Sequence, residues 1–186
     1  MNAIVVLGDE GQQGGVYLLR LRVAEPLRVR FGRFRGGAAV AVPAGEALYV
    51  GSARRGLAPR LLRHASRASG TPHPIRAEML AAFAAVGLGG LTASAEKRLR
   101  WHVDYLLEET AVSLTHALLI RAAEPLEKAL AHWLAARPET RPIAPGLGAS
   151  DAGPGGAPAH LLAVTAPDDW WANALSELSA DFDFCC

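Results

Sequence analysis

The hydrophobic period of the chain changes at Gly56, and that change decides which folds are open to it. Before Gly56 the apolar residues come in strand-like runs. "GGVYLLRLRV" (14–23) is apolar, β-branched and aromatic, and reads as a strand. "PLRVRFGRF" (26–34) alternates, with Leu27, Val29 and Phe31 on one face and Arg28 and Arg30 on the other, so it reads as a half-exposed strand with a basic outer face. "AAVAV" and "EALYVGSA" follow, separated by the turn signal Pro43-Ala44-Gly45. The N-terminal third is therefore expected to form an antiparallel hairpin or meander.

After Gly56 the pattern is helical. "LAPRLLRHASRA" (57–68) places Leu57, Leu61 and Ala65 on one face. "IRAEMLAAFAAVG" predicts a second helix, ended by Gly-rich 87–90, and "AEKRLRWHVDYLLEET" (95–110) a third. "SLTHALLIRA" returns to strand character. "AEPLEKALAHWLAAR" then reads as a helix opened by Glu124, with Pro125 in its first turn. Residues 138–159 are crowded with Pro and Gly and predict a long loop. "HLLAVTA" is a last short strand, and a terminal helix over about 168–180 is expected to be capped by Asp168 or Asp169. The expected class is α/β (α+β): a small mixed or antiparallel sheet flanked by helices, with an N-terminal β-hairpin and a C-terminal strand and helix, in a single domain over 1–186.

Charge adds a functional constraint. Residues 1–76 hold 12 arginines against 4 acids, a balance of +8, while the rest holds 7 basic and 14 acidic residues, a balance of −7. Such asymmetry suits a surface that meets an anion, most naturally a nucleic-acid backbone. The competing reading is an Arg-rich composition whose charges pair in three dimensions. No apolar run approaches the ~20 residues of a membrane span, so no membrane partner and a cytoplasmic location are expected. Cys185 and Cys186 are adjacent at the C-terminus, which argues against a disulfide framework.

The three tyrosines stand in distinctive settings: Gly15-Val16-Tyr17, Tyr49-Val50-Gly51 and Trp101-His102-Val103-Asp104-Tyr105. The first two resemble the signature of the GIY-YIG nuclease superfamily, in which neighbouring strands bring those tyrosines together. Arg60-Leu61-Leu62-Arg63-His64 is similar to the R-L-x-x-H helix that follows Y-V-G in many members, and Glu124 stands where the superfamily carries its metal-binding Glu. Tyr49-Val50-Gly51-Ser52-Ala53, Trp101 to Leu107, Gly146 to Asp151 and Ala159-His160-Leu161 resemble an uncharacterised prokaryotic branch of that superfamily, some of whose members are fused to endonuclease III. The resemblance spans about residues 14–165, with 69–95 standing as an insertion and an extra Arg-bearing hairpin between the two tyrosine strands. Where the branch usually has Cys, this chain has Pro125 and Ala152.

What the resemblance implies is Mg²⁺- or Mn²⁺-dependent hydrolysis of DNA, with a single divalent ion and a role in repair or in processing damaged or branched DNA. A functional link to an endonuclease III-type glycosylase follows from the fusions, and RNA is the alternative substrate. The residues suit that chemistry. Tyr17 and Tyr49 are candidates to accept the proton of the attacking water. Arg60 offers a charged fork to phosphate, and His64, four residues on, lies on the same helix face to shuttle a proton. Glu124 is expected to hold the metal, with Glu127 as its rival. Arg28, Arg30, Arg54, Arg55, Arg63 and His102 are expected to meet the nucleic acid, and Gly51, Ser52, Ser150, Asp151 and His160 to border the site. His102 and Asp104 point about 200° apart on a helix, so Asp104 is read as structural. Trp170 and Trp171 read as one buried and one partly exposed aromatic on the end helix. The second reading is a binding module of the same fold that has lost cleavage, and a third is a protein-interaction domain using the acidic half.

Overall fold

A computed structural model describes residues 2–68, 70–89, 97–149, 158–165 and 170–181. Among them the chain forms a six-stranded, mostly antiparallel sheet, a separate two-stranded sheet and five helices. The strands are β1 (Ile4–Gly8), β2 (Gly15–Val23), β3 (Leu27–Arg30), β4 (Ala39–Val42), β5 (Gly45–Ala53), β6 (Val112–Arg121), β7 (Thr140–Pro142) and β8 (Leu161–Val164). The helices are α1 (Leu57–His64), α2 (Ile75–Ala85), α3 (His102–Leu107), α4 (Glu127–Ala135) and α5 (Trp170–Asp181). The large sheet runs β1-β6-β2-β5-β8-β7, with only the β1–β6 pair parallel. The expected mixed α/β class is therefore the one observed. The basic hairpin is β3–β4, with Val29 buried and Arg28 and Arg30 exposed.

β2 lies between β5 and β6 and is covered on both faces, which is why its sequence is apolar almost throughout. Tyr17, Leu19, Leu21 and Val23 pack into a core shared with α1, α2, α3 and the hairpin. Val16 and Leu18 point the other way, into a core with α4 and α5. Arg20 and Arg22 are the polar exceptions, and both ion-pair across the ladder with Glu46 of β5, at 2.9 and 3.0 Å.

Four boundaries differ from the sequence reading. β1 was not expected, and β7 lies inside the segment read as loop. α3 starts at His102 rather than Ala95, because residues 97–100 are not helical. There the Asp104 carboxylate accepts from the backbone N–H groups of Arg100 (2.9 Å) and Trp101 (3.0 Å), which turns the chain into the helix at Trp101. α4 opens at Glu127, one turn later than expected, since Glu124 and Pro125 belong to the connection from β6. Asp168, Asp169, Cys185 and Cys186 lie outside the described residues. Trp171 is buried in the α5 core and Trp170 half-buried, as the end-helix reading had it. Among the described residues no helix is long and apolar enough to cross a membrane.

His73 ties the connection before α2 to the sheet. Its Nε2 faces the carbonyl of Leu107 at 3.1 Å, and its Nδ1 accepts from the N–H of Leu114 at 3.2 Å. Those partners require the neutral ring. Burial, with Arg67 nearby, pulls its pKa down from 6.5 to about 4. Between these values the unfolded chain holds a proton that the folded chain refuses. The stabilisation is therefore complete above the unfolded pKa and falls as pH drops through the window, by up to about 3 kcal/mol. Urea midpoints measured from about pH 7.5 to pH 4.5 should decline for the wild-type chain and decline less for His73→Gln, which keeps a donor and an acceptor but does not titrate. Equal slopes would remove His73 as the cause.

Candidate active site

β2 and β5 pair so that Tyr17 lies opposite Gly51, two residues beyond Tyr49. A Cβ on Gly51 would overlap the Tyr17 hydroxyl and ring, so glycine there is what allows the Tyr17 side chain to cross the neighbouring strand. The two phenol rings sit 6.2 Å apart between centroids, on the sheet face that α1 covers. Both are buried, Tyr17 to 1% and Tyr49 to 3% exposure.

α1 follows β5 directly and brings His64 onto the pair. The Tyr17 hydroxyl lies 2.9 Å from His64 Nε2, and His64 Nδ1 lies 3.0 Å from Asp104 Oδ1. All three side chains are buried. Burial alone would raise the Asp104 pKa, but its hydrogen bonds from His64 and from the two backbone N–H groups outweigh that and hold it well below the usual carboxylate range. The carboxylate is thus ionised, so Nδ1 carries the hydrogen and Nε2 is left to accept from Tyr17. Burial pulls the His64 pKa down despite Asp104, which makes neutral imidazole the resting form. It pushes both phenols up, with Glu127 among the charges that add to the shift. Neither tyrosine rests as a phenolate. Tyr17 instead has a neutral base at its hydroxyl.

Arg60 lies one turn before His64, with its guanidinium 3.8 Å from the centroid of the Trp101 ring. Its positive charge opposes the rise in both phenol pKa values. Among the described residues it has no acidic partner. Arg60, Arg54, Arg55 and Arg63 line a surface pocket of about 410 Å³ with Ala53, Gly56 and Pro59. No acid lines it.

The carboxylate that reaches this cluster is Glu127, not Glu124. Glu124 is exposed in the β6–α4 connection, and its side chain has no polar partner among the described residues. Because the helix opens one turn later, Glu127 is the residue its first turn presents. Ser52 Oγ donates to Glu127 Oε2, and His160 Nδ1 lies 3.4 Å from Oε1. Burial would raise the Glu127 pKa, but His160, Ser52 and Arg60 outweigh it, so the group is ionised. Gly148 holds His160 close: its φ is +90°, and a Cβ there would press on His160 Cβ at 2.9 Å. Gly51, Ser52 and His160 lie against this cluster, while Ser150 and Asp151 lie outside the described residues.

Two further expectations change. Arg63, read as a nucleic-acid contact, donates to both oxygens of Asp104 (3.1 and 3.0 Å) and to the Arg98 carbonyl, so its fork is engaged inside the protein. His102 accepts from the Gly148 N–H at 3.1 Å and packs edge-on against Phe31 and Phe34, which joins the hairpin to the loop before β8. Arg28, Arg30, Arg54 and Arg55 are exposed. The roles of Asp104 and Trp101 escaped the sequence reading. The spacing within Trp101-His102-Val103-Asp104 was visible, but the residues it serves lie about forty positions earlier.

A family model described as "Domain of unknown function DUF123" matches residues 16–180. Searches of curated proteins and of solved structures returned no match. The matched span begins in β2, ends in α5 and takes in every residue of the cluster built around Tyr17, so the chain belongs to the DUF123 family.

Proposed function

We propose that this chain is a nuclease of the GIY-YIG type that hydrolyses DNA phosphodiester bonds. The observation that carries the reading is the Tyr17–His64–Asp104 hydrogen-bonded series converging with Tyr49, Arg60 and Glu127. Hydrolysis needs a base for the attacking water and positive charge for the phosphoryl oxygens. With its pKa raised, Tyr17 cannot wait as a phenolate. It takes the proton of water as its own proton passes to His64 Nε2, and the Asp104 carboxylate stabilises the imidazolium that results. Arg60 faces the phosphate with its donors uncommitted to any carboxylate among the described residues.

Glu127 fits the divalent ion that the GIY-YIG resemblance implies: it is ionised, offers hard oxygen ligands and is about a third exposed (34%). No group of three His, Cys, Asp or Glu among the described residues forms a cage, so an ion there would keep most of its water shell, as Mg²⁺ or Mn²⁺ does. When bound, it would supply positive charge beside the reacting phosphate.

The burial of Tyr17, Tyr49 and His64 favours a second reading, in which the same cluster supports binding without cleavage. One experiment separates them. Labelled single-stranded, duplex and branched DNA, and RNA, are incubated with the chain in Mg²⁺ or in chelator. The nuclease reading expects Mg²⁺-dependent cleavage of at least one DNA form, with both turnover and affinity lowered in Arg60→Ala. Affinity should fall steeply with salt as counterions are released, and Arg28→Ala/Arg30→Ala should weaken binding without unfolding, since that strand face is exposed. Binding with no cleavage of any substrate would leave the second reading standing. An absence of binding at low salt would end both.

A further inference from the structure

We propose that Trp101 is a positioning residue for Arg60, holding the guanidinium at the tyrosine pair by its ring face; this rests on the reading of Arg60 as the phosphate-facing cation. A cation in an active site has to be held in place, yet a carboxylate that holds it also occupies the donors the substrate needs. Stacking avoids that conflict. An aromatic face attracts the guanidinium through its plane and leaves the N–H fork at the edge free. Arg60 is held in this manner, 3.8 Å from the indole centroid and with no acidic partner among the described residues.

The indole is itself fixed from several sides. Arg63 lies 4.7 Å and Arg100 5.3 Å from its centroid, and the His64 ring meets it edge-on at 5.6 Å. Its backbone N–H, with that of Arg100, is held by Asp104 Oδ2, while Oδ1 of the same carboxylate meets His64. The turn from Trp101 to Asp104 therefore places the cation with one residue and the proton relay with the other. That gives the Trp101–Asp104 motif a physical reason: the two residues must enter the site from one rigid turn for Arg60 and His64 to keep their separation.

The test uses the full chain in chelator, with Trp101→Leu, Trp101→Phe, Arg60→Ala and the Arg60→Ala/Trp101→Leu double variant. The first readout is the Arg60 Nε–Hε resonance, which the indole ring current displaces. It should move to an ordinary position in Trp101→Leu and stay displaced in Trp101→Phe. The second is affinity for a short labelled duplex. Trp101→Leu should weaken it by about tenfold, as Arg60→Ala does, with the double variant no weaker and Trp101→Phe close to wild type. Losses that multiply in the double variant, or wild-type affinity in Trp101→Leu beside a weakened Arg60→Ala, would overturn the proposal. Should wild type bind no DNA, the nuclease reading falls, and the Arg60 resonance decides the positioning by itself: unmoved in Trp101→Leu, it overturns the inference.

Discussion

Glu127→Gln is expected to cut DNA about 10²–10³ times more slowly than the wild-type chain in Mg²⁺, while Glu124→Gln cuts at the wild-type rate. Glutamine keeps the helix and still accepts a hydrogen bond from Ser52, so the loss reports the anionic charge. Affinity for DNA in chelator should hold level or rise slightly in Glu127→Gln, because a negative charge near the phosphate has gone. The comparison discriminates because the two acids are three residues apart but differ in setting. Glu127 sits beside Ser52 and His160 and acts electrostatically on both phenols, whereas Glu124 is exposed in a connection. Equal loss in the two variants, or none in either, would remove Glu127 from the reaction.

The misplacement of that carboxylate shows where sequence ceases to be informative. In Glu124-Pro125-Leu126-Glu127 a proline follows the first acid, and proline favours the first turn of a helix, so the sequence put the opening at Glu124. In the fold the chain needs another turn to come round from β6, and the acid that opens α4 is the next one. The difference is a single turn, and it exchanges an exposed acid for the one at the site. β2 and β5 were legible because both are apolar runs bounded by small residues, and the hairpin because its arginines alternate with buried residues. β1 was not, since four apolar residues and a glycine at a sheet edge are stabilised by a parallel partner that lies more than a hundred positions away. His64 is legible through the resemblance of Arg60–His64 to an R-L-x-x-H helix and through its spacing to Arg60. The carboxylate that makes it a base is not, because a partner forty residues distant leaves no local periodicity. Charge asymmetry was only partly informative. Arg20, Arg22 and Arg63 are paired internally, while Arg28, Arg30, Arg54, Arg55 and Arg60 lack acidic partners among the described residues.

Removing the Asp104 carboxylate should have the largest effect on stability. Asp104→Ala would strand the Arg63 guanidinium, the His64 Nδ1–H and the backbone N–H groups of Arg100 and Trp101, all of which now donate to one buried group. Deleting one partner of a buried ionic network commonly costs about 3–5 kcal/mol, because the groups left behind remain desolvated. Urea unfolding near neutral pH measures it, and a loss under about 1 kcal/mol would mean that solvent reaches these groups. Asp104→Asn has nearly the same volume and is the sharper test of the relay. If its amide nitrogen replaces Oδ2, it faces two backbone donors; if it replaces Oδ1, it faces His64 Nδ1. The second arrangement is expected to hold, because a ring can move its hydrogen to Nε2 and a backbone amide cannot move its own. Nε2 would then donate to the Tyr17 hydroxyl instead of accepting from it, which closes the path for the Tyr17 proton. Asp104→Asn should therefore lose cleavage while binding DNA with wild-type affinity, and nitrogen NMR of His64 should show the exchanged tautomer. Full activity with the exchanged tautomer would separate the Tyr17–His64 bond from proton transfer. The bond would then serve only to hold the phenol in place.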